Sequence, residues 1–398
     1  MTVGRLGFRF VTQPTKLKMN LSEYIQTKPL FYDKKILNFS QIQKAYTAIE
    51  GKFKKPPTLI HIVGTNGKGS TGRTIAHLSH KTGLNVGHYS SPHIFKYNER
   101  FWLNGTDAVD EKLEAAHQRL YPLVKDLETS YFEYTTLLSI VLFEDCDLVV
   151  CEAGLGGEFD ATNVCKKDLS IITPIGLDHQ AFLGNSIGEI ATTKINSIET
   201  KAIISLQQND IVYEIAKKIA CKKNATLYFA NNKYASNKYN KDRLERFSNY
   251  LKENISLALE SLDILEIKYN INDLNDLEFF GRYYPLTENI RIDVGHNLLA
   301  AQVIFDEIKE NTVLIYNSLN DKPYKDILNY LKPKLKRVEI LKLENTQALK
   351  VTELEAVLKA LGIKYKLFEN IDNMSTQENY LVFGSFFVVE EFLKRFNG

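Results

Sequence analysis

Long hydrophobic runs are absent from this chain of 398 residues. No apolar stretch approaches the eighteen or so residues needed to cross a bilayer, which excludes a membrane-spanning helix. Cysteine is scarce, with 4 in all. Cys146, Cys151, Cys165 and Cys221 stand singly, without metal or disulfide spacing, as expected in a reducing cytoplasm. An excess of either charge is also missing. A net charge of +2, with 25% charged and 44% hydrophobic residues, argues against nucleic-acid and membrane-surface partners and for an ordinary globular protein. There is no internal repeat and no low-complexity tract. The length leaves room for two or three domains with full cores.

Residues 1–18 carry Arg5, Arg9, Lys16 and Lys18 and no acid, with Phe8 and Phe10 between them. They show neither a helical apolar stripe nor a secretory core, so a targeting peptide is the weaker reading. An extension without fixed structure is expected over residues 1–19, with the fold beginning near Asn20.

What is present starts at Gly64. Residues 64–70 read Gly-Thr-Asn-Gly-Lys-Gly-Ser. They follow the apolar run Thr58 to Val63 and precede a helical pattern from Ser70 to Lys81. A buried strand, a glycine-rich turn and a helix N-terminus make a phosphate cradle. Backbone N–H groups and the positive helix end face the anion, and Lys68 adds a point charge. The common Walker spacing would need Gly at Ile62 and Ser or Thr at Gly69, so this is a different form of the motif. A glycine-rich turn alone is weak evidence; the strand and helix around it make nucleotide use the leading reading.

Apolar runs alternate with helical patterns along most of the chain. Strands are expected at 58–63, 85–89, 147–151, 169–173 and 202–206, with helices between them such as 134–144 and 188–199. Continuous apolar strands separated by helices imply a parallel sheet covered on both faces. The polar segment Asn231 to Lys252 reads as a surface excursion. After Gly281-Arg282 a second α/β series begins, with strands at 290–294, 312–317, 337–341, 364–368 and 380–383. The expected fold is α/β: a parallel-sheet phosphate-loop ATPase domain over 20–283, then a smaller Rossmann-like domain over 284–398.

Ligands of such sheets sit beyond the carboxyl ends of the strands. Ser90 and Ser91, Glu152, and Asp178 with His179 all fall at such ends, and Lys194 lies on the next helix. A hydroxyl, a carboxylate, an imidazole and phosphate oxygens suit a hard cation such as Mg²⁺. Each residue alone has a bland reading as turn, cap or solvated surface. Their conjunction at successive strand ends favours a site.

The blocks HIVGTNGKGS (61–70), YSSPH with NER (89–100), YFEYTTL (131–137), EAGLGGEFDATNV (152–164), GLDHQAFLG (176–184), DVGHN (293–297), DK (321–322) and GSFFVVEEFL (384–393) resemble the folylpolyglutamate synthase and dihydrofolate synthase family of the Mur ligase superfamily. The resemblance runs from about Asn20 to Phe396. It implies an ATP-dependent ligase that adds L-glutamate to dihydropteroate or a reduced folate through an acyl phosphate, with both activities on one chain. A monofunctional folylpolyglutamate synthase is the alternative.

By the same resemblance, Thr65, Asn66, Gly67, Lys68, Gly69 and Ser70 hold the triphosphate. Ser91 and Glu152 are ligands of one Mg²⁺ and His179 of a second. Lys194 matches a lysine carbamylated by CO₂, which makes it an anionic metal ligand. Asn254 is the adenine contact, and Arg282, Asp293 and His296 are brought onto ATP by the second domain, with Lys68, Lys194 and His296 closest to the chemistry. Ser130, Tyr131, Phe132 and Glu133, with Phe159, Asp160 and Ala161, match the pterin-binding segments, with Lys34 to Leu37 as a further candidate stretch. A cytoplasmic monomer is expected.

Four positions depart from the family pattern: Glu158 for a common Arg, Thr193 for a Glu before the modified lysine, Leu251 for a Gln, and Leu298 for a Pro. They bear on pterin and glutamate specificity more than on phosphate or metal binding. A peptidoglycan-precursor ligase shares the phosphate loop but not the SSPH or YFE blocks. A nucleotide-binding regulator without ligase activity would not need the full metal set.

Overall fold

The computed structural model of the chain describes residues 19–29, 39–235 and 241–397. Of the expected extension over 1–19, residues 1–18 lie outside the described residues, as does the segment Lys34 to Leu37.

The first sheet has eight strands: β1 (Thr58–Val63), β2 (Val86–Tyr89), β3 (Phe101–Leu103), β4 (Thr106–Asp107), β5 (Leu148–Glu152), β6 (Leu169–Ile172), β7 (Lys201–Ile204) and β8 (Thr226–Phe229). Their order is β4-β3-β2-β5-β1-β6-β7-β8. The pairs from β2 to β8 are parallel, while β3 and β4 add an antiparallel edge. The apolar runs are continuous because helices cover both faces. Ile60 and Ile62 point into one layer, against the helices Lys68–Lys81 and Asn249–Ile264, and both are fully buried. Each such side chain contributes about 1.5–3 kcal/mol by leaving water. On the opposite face Leu59, Val149 and Cys151 pack beneath the helices Phe39–Ile49, Asp110–Val124 and Tyr131–Leu142.

The second sheet runs β9 (Tyr284–Pro285), β10 (Ile290–Asp293), β11 (Thr312–Tyr316), β12 (Leu335–Ile340), β13 (Tyr365–Leu367) and β14 (Tyr380–Phe383), ordered β13-β12-β11-β14-β10-β9. It is parallel except where β9 meets β10.

One expectation is corrected. Within 231–252, only part of the segment is surface. Leu244, Phe247 and Leu251 are buried in the first core, and the long helix starts at Asn249. Leu244 ends a short helix (Lys241–Leu244), Phe247 lies in the bend that follows and Leu251 stands in the first turn of the long helix, so no single helical period joins them and the surrounding Asn and Lys residues obscure their burial.

The winding reverses around β1. The chain leaves β1 for β2 on one side, returns to β5, then crosses β1 to reach β6. The carboxyl ends of β1, β5 and β6 therefore open onto one crevice, the place where this architecture leaves room for a ligand.

Candidate active site

At the end of β1 the chain turns sharply into its helix. Gly64 and Gly67 have φ of +151° and +87°, the region that favours glycine. A Cβ on Gly64 would lie 1.9 Å from Thr173 Oγ1, and one on Gly67 2.6 Å from Asn254 Oδ1. The loop is tethered to the segment after β6: Thr65 N–H donates to Pro174 O at 2.9 Å and the Thr65 hydroxyl to Gly176 O at 3.1 Å. Lys68 Nζ donates to Gly64 O (3.3 Å) and Thr65 O (3.2 Å) and stands 3.9 Å from Glu152 Oε1. Asn254, expected at the adenine, packs against the loop itself and donates to Ser70 Oγ at 2.8 Å.

Glu152 is the last residue of β5, paired in register with Ile62. Burial raises its carboxyl pKa, against the pull of Lys68, Arg282 and a bond from Ser91 N–H. A buried carboxylate with only a loose ammonium partner suits a cation. Across the crevice, His179 has φ of +51°. Burial pushes its ring down to about 3, so it is neutral near pH 7 and can offer a lone pair. Lys194 is buried, not solvent-facing; its Nζ donates to Gly64 O at 2.8 Å. Burial and then the nearby Lys68 bring its pKa down to about 7.

Among the described residues no three His, Cys, Asp or Glu side chains converge as a metal cage. Mg²⁺ does not need one. It keeps waters and is held through one or two carboxylates together with substrate phosphates. Ser91, Glu152 and His179 around a phosphate loop fit that pattern.

The second domain closes over the loop. Arg282 Nη2 is 3.9 Å from the place a Gly69 Cβ would occupy, and its guanidinium lies 5.3 Å from the Phe386 ring centre. Asp293 is buried and accepts from Tyr250 Oη (2.9 Å), Tyr283 N–H (2.8 Å) and Gly295 N–H (2.7 Å). It thereby shapes the turn that presents His296. His296 Nδ1 is 3.1 Å from Val294 O, and Nε2 is 3.6 Å from Asp178 Oδ2. Residues 64–70, Ser91, Glu152, His179, Lys194, Asn254, Arg282, Asp293 and His296 line one cavity of about 420 Å³.

The expected substrate segments stand beside this cavity and do not line it. Phe132 packs on Gly154, where a Cβ would meet its ring at 2.5 Å, and Gly154 lines the cavity. Ser130 and Glu133 cap the helix Tyr131–Leu142 through Ser130 N–H to Glu133 Oε2 (2.7 Å) and Glu133 N–H to Ser130 Oγ (3.3 Å). Asp160 accepts from Leu155 N–H (2.7 Å) and from the Thr162 N–H and hydroxyl (3.0 and 2.6 Å). These three polar side chains hold local structure, while Phe159 is exposed. Ala161 is buried. The departure Glu158 binds the Lys194 helix, accepting from Asn196 Nδ2 at 2.8 Å.

Sequence reasoning left two partnerships unread. Arg100 Nε donates to His93 Nδ1 at 2.8 Å, and Lys322 Nζ to Asp178 Oδ1 at 2.8 Å. The NER and DK blocks mark both basic residues, but their partners are not readable from spacing.

Two α/β domains meeting over a phosphate loop, with cations from both sides, define a nucleotide-dependent ligase of the Mur type. No family model matches the chain. A dihydrofolate synthase/folylpolyglutamate synthase of Buchnera aphidicola subsp. Schizaphis graminum is 30% identical over 363 residues, covering 83% of this chain and 86% of that protein. The crystal structure of Helicobacter pylori folylpolyglutamate synthetase is similar at 39% identity and a TM-score of 0.75, covering 95% of this chain and 98% of that one. Escherichia coli FolC in complex with DHPP and ADP shares the fold, with a TM-score of 0.82 at 23% identity over 96% of this chain and 98% of that one. The chain belongs to the dihydrofolate synthase/folylpolyglutamate synthase family.

Proposed function

We propose that this chain is an ATP-dependent amide ligase that joins L-glutamate to dihydropteroate and to reduced folates, with both synthase activities on one polypeptide. The observation that carries the reading is one cavity in which the phosphate loop, buried Glu152 and Lys194, Arg282 at the junction of the domains and His296 of the second domain converge. The relatives' double name supports the paired activities. Residues 20–283 would hold the nucleotide and 284–398 would close over it.

In this reading the substrate carboxylate attacks the γ-phosphate of ATP, the bond from that phosphorus to the bridging oxygen breaks, and ADP leaves as an acyl phosphate forms. The amine of glutamate then attacks the acyl carbon, forming the C–N bond as phosphate leaves. Positioning and charge neutralisation do most of the work in phosphoryl transfer. Lys68 and Arg282 offset charge on the phosphates, His296 orders them, and Asn254 sets the loop. Mg²⁺, held by Ser91 and Glu152 and at a second place by His179, would supply further neutralisation of the phosphate charge. Lys194, as a carbamate, would add an anionic oxygen donor to that set. Tyr131, Phe132 and Phe159 would stack the pterin.

Phosphate release from ATP with glutamate, measured separately with dihydropteroate, tetrahydrofolate and a muramyl-peptide precursor, tests the reading. Turnover with the first two is expected. A second reading, folylpolyglutamate synthase alone, is favoured by the single-activity name of the Helicobacter pylori structure; turnover with tetrahydrofolate only would establish it. Turnover with the muramyl peptide, or with nothing, would overturn both.

A further inference from the structure

One carboxylate ties the two domains together. Asp178 follows β6 in the first domain and is 8% exposed; Lys322 belongs to the second and is 7% exposed. Lys322 Nζ donates to Asp178 Oδ1 at 2.8 Å. The other oxygen, Oδ2, accepts from Asn297 Nδ2 at 2.9 Å and lies 3.6 Å from His296 Nε2. Asn297 in turn faces the Asn66 amide of the phosphate loop within 3.0 Å and caps its own helix through Ala300 N–H at 2.9 Å. Three second-domain side chains therefore reach the first domain through Asp178. Asp178 and His296 line the cavity, whereas Lys322 stands behind them.

Exposed ion pairs contribute little to stability, but breaking a buried one leaves a charge uncompensated. The Asp178–Lys322 pair is complete only while the domains are together, so its charges favour the shut arrangement. The reaction assigned above has a step at which shutting matters. An acyl phosphate that waits for the glutamate amine can instead be attacked by water. Then the C–O bond to phosphate breaks, the carboxylate is regenerated, and one ATP is consumed without an amide.

We propose that Asp178 and Lys322 are positioning residues that hold the domains shut over the acyl phosphate and so keep ATP use coupled to amide formation. The proposal rests on the ligase reading of the same cavity.

The test uses the full chain and four variants, Lys322→Met, Lys322→Arg, Asp178→Asn and the double variant Lys322→Met with Asp178→Asn, each checked for folding by circular dichroism. Phosphate released and glutamate incorporated are counted in one reaction with ATP, Mg²⁺, glutamate and the pterin substrate. The wild type should release about one phosphate per amide, as the two-step reaction requires. Lys322→Met should raise that ratio on the order of fivefold, at the low end of site-to-site coupling. Lys322→Arg should restore it, and the double variant with Asp178→Asn should be no worse than the worse single variant. A ratio unchanged in folded Lys322→Met, or singles that add fully in the double variant, would overturn the clamp. A structural role alone would lower stability without moving the ratio. Small-angle scattering with a non-hydrolysable ATP analogue gives a second readout: Lys322→Met should be measurably more expanded than the wild type. An inactive wild type would count against the ligase reading; equal dimensions in scattering would still decide against the clamp.

Discussion

Lys194 offers the sharpest test of the site chemistry. CO₂ adds only to a neutral amine: an N–C bond forms, a proton leaves, and the product is an anionic carbamate. At pH 7.5 a lysine with the ordinary value of 10.5 is neutral about one time in a thousand, whereas one at about 7 is neutral roughly three times in four. Burial and the nearby Lys68 thus raise the reactive fraction by nearly three orders of magnitude, a gain that requires the folded cavity. The sign is definite. The pKa is lowered, so the amine is reactive above about 7, and carbamate is lost as pH falls through that value. Protein in ¹³C-bicarbonate at pH 8 should show a bound carbamate carbon by NMR, absent from Lys194→Ala. Removing CO₂ at pH 6 should abolish the signal and the activity together. Lys194→Ala should lose activity on the order of a hundredfold or more, as when one electrostatic group is removed from a reacting site. A short carboxylate added from solution should restore part of it by filling the vacated position. A carbamate-free Lys194 at pH 8 in bicarbonate, combined with full activity of the alanine variant, would refute the reasoning.

The other expectations concern neighbouring groups. Lys68→Ala should lower kcat by about a hundredfold or more, as with loss of a single preorganised donor; near-normal turnover in a folded variant would remove the nucleotide assignment. Glu152→Gln and His179→Ala should each raise the Mg²⁺ concentration needed for half-maximal rate, because each deletes a candidate ligand; lower stability with unchanged Mg²⁺ dependence would make them structural. His93 is held at about 4, below its ordinary 6.5, by burial and then by Arg100. Between those values the unfolded chain binds a proton that the folded chain refuses. Stability should therefore fall as pH drops through that window, by about 2 kcal/mol after allowance for partial exposure, and denaturant melts of His93→Gln should show a flatter profile there.

The phosphate loop was legible because everything that makes it lies within consecutive residues. An apolar strand from Thr58 must end where Gly64 permits a left-handed turn, and the helix follows at once. Glu152 and His179 were legible for a related reason, since each closes or follows its own strand and parallel strands align their carboxyl ends. In the expected substrate segments, several polar side chains serve local structure. Ser130 and Glu133 stand three apart before an apolar run, a spacing that marks a capping box in sequence, and the structure uses both in that way. Asp160 is likewise consumed by its own turn. The burial of Leu244, Phe247 and Leu251, which fall on two helices and the bend between them, was hidden by polar neighbours whose composition suggested surface.

Local sequence by itself determined where the glycine-rich turn lies, which strand ends open onto the crevice beside it, and which residue types stand there, because turn geometry and strand periodicity act over a few residues. Tertiary structure alone decided what those residues are chemically. The Lys194 pKa falls to about 7 only where burial strips its water and Lys68 stands nearby. Asp178 meets Lys322 across 144 residues of chain, a separation over which no periodicity carries information. Only the packing of one domain on the other brings that charge pair together.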